Sequence, residues 1–176
     1  MIKNVAFIGL GVMGFPMAGH LIGKNNNLQI KVYNRSIEKT EKWVSKYNGI
    51  LTKNPAEAAE NSDIVFMCVG NDKDVEQVVR GEVGIMSTIP ENSIIVDHTT
   101  ASAKIALDLN DFCKSSKNVS FIDAPVSGGQ AGAENGQLTI MVGGDKSSYL
   151  KVEALLKSYA KNSTLIGNSG SGQLAK

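Results

Sequence analysis

The six residues Ile64-Val65-Phe66-Met67-Cys68-Val69 are apolar at every position. A strand with one wet face alternates apolar and polar side chains, whereas a strand that is apolar throughout must be covered on both faces. Shorter runs of the same kind recur along the chain. They predict strands at Asn4–Ile8, Gln29–Tyr33, Ile64–Val69, Ile94–Asp97, Ser120–Asp123 and Leu138–Val142, with a further one at Thr164–Ile166. The stretches between them have apolar residues at helical spacing. These are Met13–Gly23, then Ile37–Tyr47 between an N-cap at Ser36 and a stop at Asn48-Gly49, then a helix from Asp72 or Asp74 through Val79. Ala103–Lys114 and Ser147–Tyr159, the latter capped by Asp145, complete the set. Strands that alternate with helices predict βαβ units, and so an α/β fold with a doubly wound, mainly parallel sheet. Ligands of such sheets bind beyond the carboxyl ends of the strands, so functional residues are expected just after strands.

Composition narrows the function classes. At 176 residues the chain has the length of one domain. Lys and Arg number 18 against 17 Asp and Glu, a net charge of +1, which disfavours a sequence-independent nucleic-acid binder. No stretch approaches the length of a membrane span, and the first apolar run is too short for a secretory signal. Cys68 and Cys113 lie far apart, and neither they nor His20 and His98 have metal-ligand spacing, so no metal is expected. A cytoplasmic protein with no membrane or nucleic-acid partner is the expectation.

Gly9-Leu10-Gly11-Val12-Met13-Gly14 matches G-x-G-x-x-G, between the strand ending at Ile8 and an amphipathic helix. In that setting the pattern is a dinucleotide fingerprint. The first glycine makes the turn, the second admits a pyrophosphate to the backbone, and the third lets helix and strand pack closely. The helix N-terminus adds free N–H groups and a partial positive charge. After the next strand comes Asn34-Arg35-Ser36, where NAD-binding folds usually have an acidic residue for the ribose hydroxyls. A neutral Asn34 followed by Arg35 favours NADP, because a guanidinium can hold a 2′-phosphate. The alternative is an exposed arginine beside an asparagine that serves NAD. Val69 and Gly70, just after the third strand, are expected in the same cofactor site.

The string from Ile8 to Ala18 resembles the opening of the β-hydroxyacid dehydrogenases, which include 3-hydroxyisobutyrate dehydrogenase and tartronate semialdehyde reductase. Asp97-His98-Thr99-Thr100 resembles that family's strand end, with Thr99 in place of its usual serine. Asp123-Ala124-Pro125-Val126-Ser127-Gly128-Gly129, with Gly136-Gln137-Leu138-Thr139, resembles its substrate loop. Gly170-Ser171-Gly172-Gln173-Leu174-Ala175-Lys176 resembles its catalytic segment. The resemblance implies a Rossmann-type cofactor domain over residues 1–176. It places the nicotinamide ribose near Thr100, the substrate carboxylate at Ser127, Gly128 and Gly129, and the catalytic lysine at Lys176.

Physical chemistry is compatible with those roles. Ser127 offers a hydroxyl donor, and paired glycines let backbone N–H groups close around an anion. Asp123 and Glu134 are tempting carboxylates that the implied mechanism does not need. Family members continue past the lysine into an all-helical second domain, and a homo-oligomer is the expectation for the full-length form. These 176 residues are therefore expected to bind NADP, with NAD as second choice, but not to turn over a 3-hydroxy acid alone. Two rivals remain: an NADPH-dependent reductase of glyoxylate, succinic or tartronate semialdehyde, and a non-catalytic dinucleotide-binding module.

Overall fold

The computed structural model describes residues 1–176, and its apolar runs are the strands of one nine-stranded sheet. In chain order the first half contains β1 (Asn4–Ile8), α1 (Gly14–Gly23), β2 (Gln29–Tyr33), α2 (Ile37–Lys46), β3 (Ile50–Leu51), α3 (Pro55–Ala59), β4 (Ile64–Met67) and α4 (Asp72–Arg80). After a single 3₁₀ turn at Ile85–Ser87 come β5 (Ile94–Asp97), α5 (Ala103–Lys117), β6 (Ser120–Asp123), β7 (Val126–Ser127), α6 (Gly129–Glu134), β8 (Leu138–Gly143), α7 (Lys146–Leu156), β9 (Ala160–Gly167) and α8 (Ser171–Ala175). The strand order is β3-β2-β1-β4-β5-β6-β8-β7, and β9 pairs with β8. Pairings from β3 through to β6 are parallel; β8 runs against both β6 and β7. None of the helices is long and apolar enough to cross a membrane.

The unbroken apolar strands are covered as their composition demands. Ile64 and Phe66 of β4 point into one core layer with Phe7, Met17, Trp43 and Val96. Val65 and Met67 point into the other, with Ala6, Ile8, Val75, Val79 and Leu109. Alternate residues of one strand thus supply two cores, the geometry of a sheet with helices on both sides.

Several boundaries differ from the pattern-based expectation, each for a local reason. Helix α2 stops at Lys46 because Tyr47 is extended, with φ −122° and ψ 154°, rather than at a left-handed Asn48 or Gly49. The Tyr47 ring packs against Trp43 and Phe15, at centroid distances of 5.0 and 6.1 Å, which draws the residue out of the helix. Gly49 is needed instead for approach, since a Cβ there would lie 2.5 Å from the Trp43 ring. Ser36 stands at the N-cap of α2, but its hydroxyl donates to Glu38 rather than accepting from the helix. Asp145 caps α7 as expected, accepting from the Ser148 N–H at 3.1 Å. Strand β4 ends at Met67, two residues early, and β9 begins at Ala160, earlier than expected. Short elements β3, α3, β7, α6 and α8 were not legible as periodic patterns.

Helix α7 ends at Leu156, short of Tyr159, which is free to turn inward. Its hydroxyl lies 2.7 Å from His98 Nε2, and His98 Nδ1 lies 2.7 Å from the Ala124 carbonyl. A carbonyl can only accept, so Nδ1 carries the proton and Nε2 accepts from Tyr159. Burial drives the His98 pKa down to about 4, so the ring is neutral at pH 7. Tyr159→Phe leaves Nε2 buried without a donor. It should destabilise the fold by about 1–3 kcal/mol, the usual penalty for an orphaned buried group. Urea unfolding of the two proteins measures this, and equal midpoints and slopes would refute the pairing.

Candidate functional site

From β1 the chain turns outward to β2, and from β4 it turns the other way to β5. Loops leaving neighbouring strands in opposite directions open a crevice at the carboxyl edge. A cleft of about 560 Å³ lies there, lined by Gly9, Gly11, Val12, Met13 and Gly14 on one side and by Val69, Gly70 and Asp74 on the other. The three glycines do different work. Gly9 has φ +95°, and a Cβ on it would fall 2.0 Å from the Cys68 carbonyl oxygen. A Cβ on Gly14 would fall 1.9 Å from the Gly9 carbonyl oxygen. Around Gly11 there is nothing within 4 Å, so its face is open to a ligand. The N–H groups of Gly11, Val12, Met13 and Gly14 have no acceptor in the protein, and no side chain caps α1. Four free donors on the positive end of a helix suit an anion.

Asn34 ties this loop to β2. Its Oδ1 accepts from the Leu10 N–H at 2.8 Å and its Nδ2 donates to the Ser36 carbonyl at 3.1 Å. A carboxamide can do both, whereas a carboxylate can only accept. Leu10 itself does not line the cleft. Its side chain is buried in the core and its N–H is taken by Asn34.

Arg35 and Ser36 line the mouth together with Lys39, a second cation that sequence reading missed. Arg35 lies outside α2 and Lys39 in its first turn, so helical spacing alone does not pair them. The Arg35 side chain is 88% exposed, and its Nη1 stands 3.8 Å from Asp74 Oδ1. Such an exposed pair contributes roughly 0–1 kcal/mol and yields readily to a stronger anion. Cys68 forms part of the inner wall, and burial pushes its thiol up to about 12, so it is no nucleophile at neutral pH.

Thr100, Ser127, Gly128, Gly129 and Lys176 stand outside that lining. Thr100 is exposed in the loop after β5. Ser127 is exposed at the end of β7, opposite Thr139 of β8. Gly128 and Gly129 have φ of +134° and +61°, a backbone that side chains oppose, and they turn the chain into α6. Lys176 follows α8 and is exposed, its N–H donating to the Gly172 carbonyl at 3.2 Å.

What fixes α8 is Asp123, which sequence reading set aside. Its Oδ1 accepts from the Gly170 N–H at 2.7 Å and its Oδ2 from the Gln173 N–H at 2.9 Å. Burial raises the Asp123 pKa, and those backbone donors oppose the rise. Beside it at the end of β5, Asp97 is pushed up to about 7, chiefly by burial, against hydrogen bonds from Thr99. The available signal was positional, since Asp97 and Asp123 are register partners that close adjacent parallel strands.

A parallel sheet with a glycine turn and an uncapped helix at its switch point defines a dinucleotide-binding domain of the Rossmann type. The pattern of the family described as the NAD binding domain of 6-phosphogluconate dehydrogenase matches residues 4–167, and the chain belongs to that family. An uncharacterized oxidoreductase of Shewanella frigidimarina is 51% identical over 173 residues, which is 98% of this chain and 58% of that protein. The 2-hydroxy-3-oxopropionate reductase of Escherichia coli is 33% identical, over 98% of this chain and 58% of its own length. Among solved structures, a 3-hydroxyisobutyrate dehydrogenase of Mycobacterium tuberculosis with L-serine matches at TM-score 0.90 and 27% identity. That match covers 99% of this chain and 58% of the other. The chain thus spans under two thirds of the length of these relatives.

Gly11→Val puts a branched side chain into the open space before the four free donors. It should leave the fold intact, since nothing lies within 4 Å to clash, yet abolish dinucleotide binding. Calorimetric titration with NADPH, alongside a thermal melt, checks both halves. Unchanged affinity would refute the ligand-facing role of Gly11.

Proposed function

We propose that this chain is the cofactor domain of a nicotinamide-dependent oxidoreductase of the 3-hydroxyisobutyrate dehydrogenase type. Its substrate is a small 3-hydroxy acid or the corresponding semialdehyde. The observation that carries this reading is where α8 docks. Gln173 binds the Thr99 carbonyl and the Ala101 N–H after β5, on the same carboxyl edge of the sheet as the glycine loop after β1. The lysine-bearing segment and the anion-binding loop therefore serve one edge. The family match and the activities by which the relatives are named agree with that chemistry.

In this reading the free N–H groups of Gly11 to Gly14 hold the pyrophosphate, with Val69, Gly70 and Thr100 toward the nicotinamide ribose. Bound nicotinamide supplies the hydride acceptor, or donor in reverse. Ser127 and the backbone of Gly128 and Gly129 hold the substrate carboxylate, which orients C3. Lys176 Nζ takes the hydroxyl proton as C3 is oxidised and returns it to the carbonyl oxygen on reduction. Lys176→Ala, made in the product of the whole gene, should lower kcat by about 10²–10⁴, the usual weight of general acid–base catalysis. Steady-state assay with 3-hydroxyisobutyrate and related acids checks it, and an unaltered kcat would remove the lysine from the mechanism.

Arg35 and Lys39 support NADP as the cofactor. Both are cations at the mouth, Asn34 brings no repelling carboxylate, and the Arg35–Asp74 pair is weak enough to exchange for a phosphate. The same rim favours a second reading, in which the protein runs as an NADPH-dependent semialdehyde or glyoxylate reductase. Arg35→Ala should weaken NADPH by about 1–3 kcal/mol while sparing NADH, the range of a charge-assisted bond. Parallel fluorescence titrations with the two cofactors decide it, and equal losses would show that Arg35 does not read the phosphate.

A further inference from the structure

Five hydrogen bonds run without a gap from the wall of the cofactor cleft to the segment that ends in Lys176. The Val69 N–H, at that wall, donates to Thr99 Oγ1 at 2.9 Å. Gln173 Nε2 donates to the Thr99 carbonyl at 2.7 Å, while Gln173 Oε1 accepts from the Ala101 N–H at 3.0 Å. Asp123 then takes the Gln173 and Gly170 N–H groups on its two oxygens. Thr99, Asp123 and Gln173 are all buried, so water offers these bonds little competition.

The helix they hold cannot hold itself. Five residues are far below the ~12–15 at which an isolated helix becomes even marginal, so tertiary contacts set its place. Those contacts leave no slack. A Cβ on Gly172 would fall 2.5 Å from the Met141 carbonyl oxygen, and one on Gly143 would fall 2.6 Å from Asp123 Oδ1. Sliding α8 along the sheet edge means breaking the Asp123 and Gln173 bonds in a sealed site.

We propose that Gln173 and Asp123 are positioning residues, which lock the Lys176 segment to the Thr99–Ala101 loop and through it to the Val69 wall of the cofactor cleft. The proposal rests on the reading of Lys176 given above. Gln173 is suited to the task because one carboxamide both donates to and accepts from the same loop. Neither side chain reaches a reacting atom in this scheme. Each acts by setting where Lys176 stands relative to a bound nicotinamide.

The test uses the product of the whole gene. Gln173→Met keeps length and volume and removes both loop bonds; Asp123→Asn removes one of the two acceptors on α8. Turnover is expressed per NADPH-binding site, counted by titration, so that loss of folded protein cancels. Both variants should lose about 10–100-fold in kcat per site, the scale of a displacement of about 1 Å, with NADPH affinity and substrate KM little changed. Should either variant fail to fold, Thr99→Val, which removes the Val69 bond and the hydroxyl bond to Asp97 but keeps the Thr99 backbone bonds to Gln173 and Asp97, should show the same split to a smaller degree. Parental kcat per site in the folded variants overturns the proposal. So does a fall in rate wholly matched by lost NADPH sites, since that is a stability effect alone. Lys176→Ala in parallel separates the two claims: if it keeps full turnover, the reading of the lysine fails, whereas an inactive Lys176→Ala beside a fully active Gln173→Met leaves that reading standing and sinks the positioning role.

Discussion

The Gly9 carbonyl oxygen occupies the space where a side chain at residue 14 would have to stand, and the Cys68 carbonyl oxygen does the same for residue 9. Through these two approaches β1, α1 and β4 meet without side chains between them. Because the backbone turns this tightly, α1 begins with no capping side chain and with four donors facing outward. The same closeness brings Leu10 within reach of Asn34, so the end of β2 is tied to the loop by one carboxamide. A single Cβ at position 9 or 14 would separate these elements and dismantle the crevice at its floor.

The loops after β5 and β6 rest on buried polar groups instead. Asp97, His98 and Asp123 sit at the carboxyl ends of β5 and β6 and are all buried. Each is satisfied by named partners: Thr99 for Asp97, Ala124 and Tyr159 for His98, Gly170 and Gln173 for Asp123. Burial of unpaired groups here would cost several kcal/mol, so the loops that supply the partners are held in one arrangement. Rigid loops at the carboxyl edge are what a site for a two-part ligand needs.

Much of this was legible in the sequence. The fully apolar run at Ile64–Val69 announced a strand covered on both faces, and the glycine spacing announced the turn and the uncapped helix. Asn4–Ile8, Gln29–Tyr33, Ile94–Asp97 and Ser120–Asp123 appear at their expected bounds. What escaped depends on tertiary contact. Tyr47 leaves α2 for an aromatic cluster, and α8 is too short for periodicity and exists because Asp123 caps it. Asn34 lines the cleft, but the bond that its carboxamide makes to Leu10 is a pairing across 24 residues that no local pattern encodes. Lys39 escaped because only the folded cleft brings it to the mouth beside Arg35.

The central claim is that the free N–H groups at the start of α1 hold the pyrophosphate of a dinucleotide. Amide resonances of the isotopically labelled chain, followed during addition of NADPH, test it at the atoms concerned. The account predicts large downfield shifts of the Gly11, Val12, Met13 and Gly14 amide protons as they gain an anionic acceptor. Leu10, already bonded to Asn34, should move less. Saturable binding that leaves the four amides unmoved would contradict the claim, and so would the absence of binding.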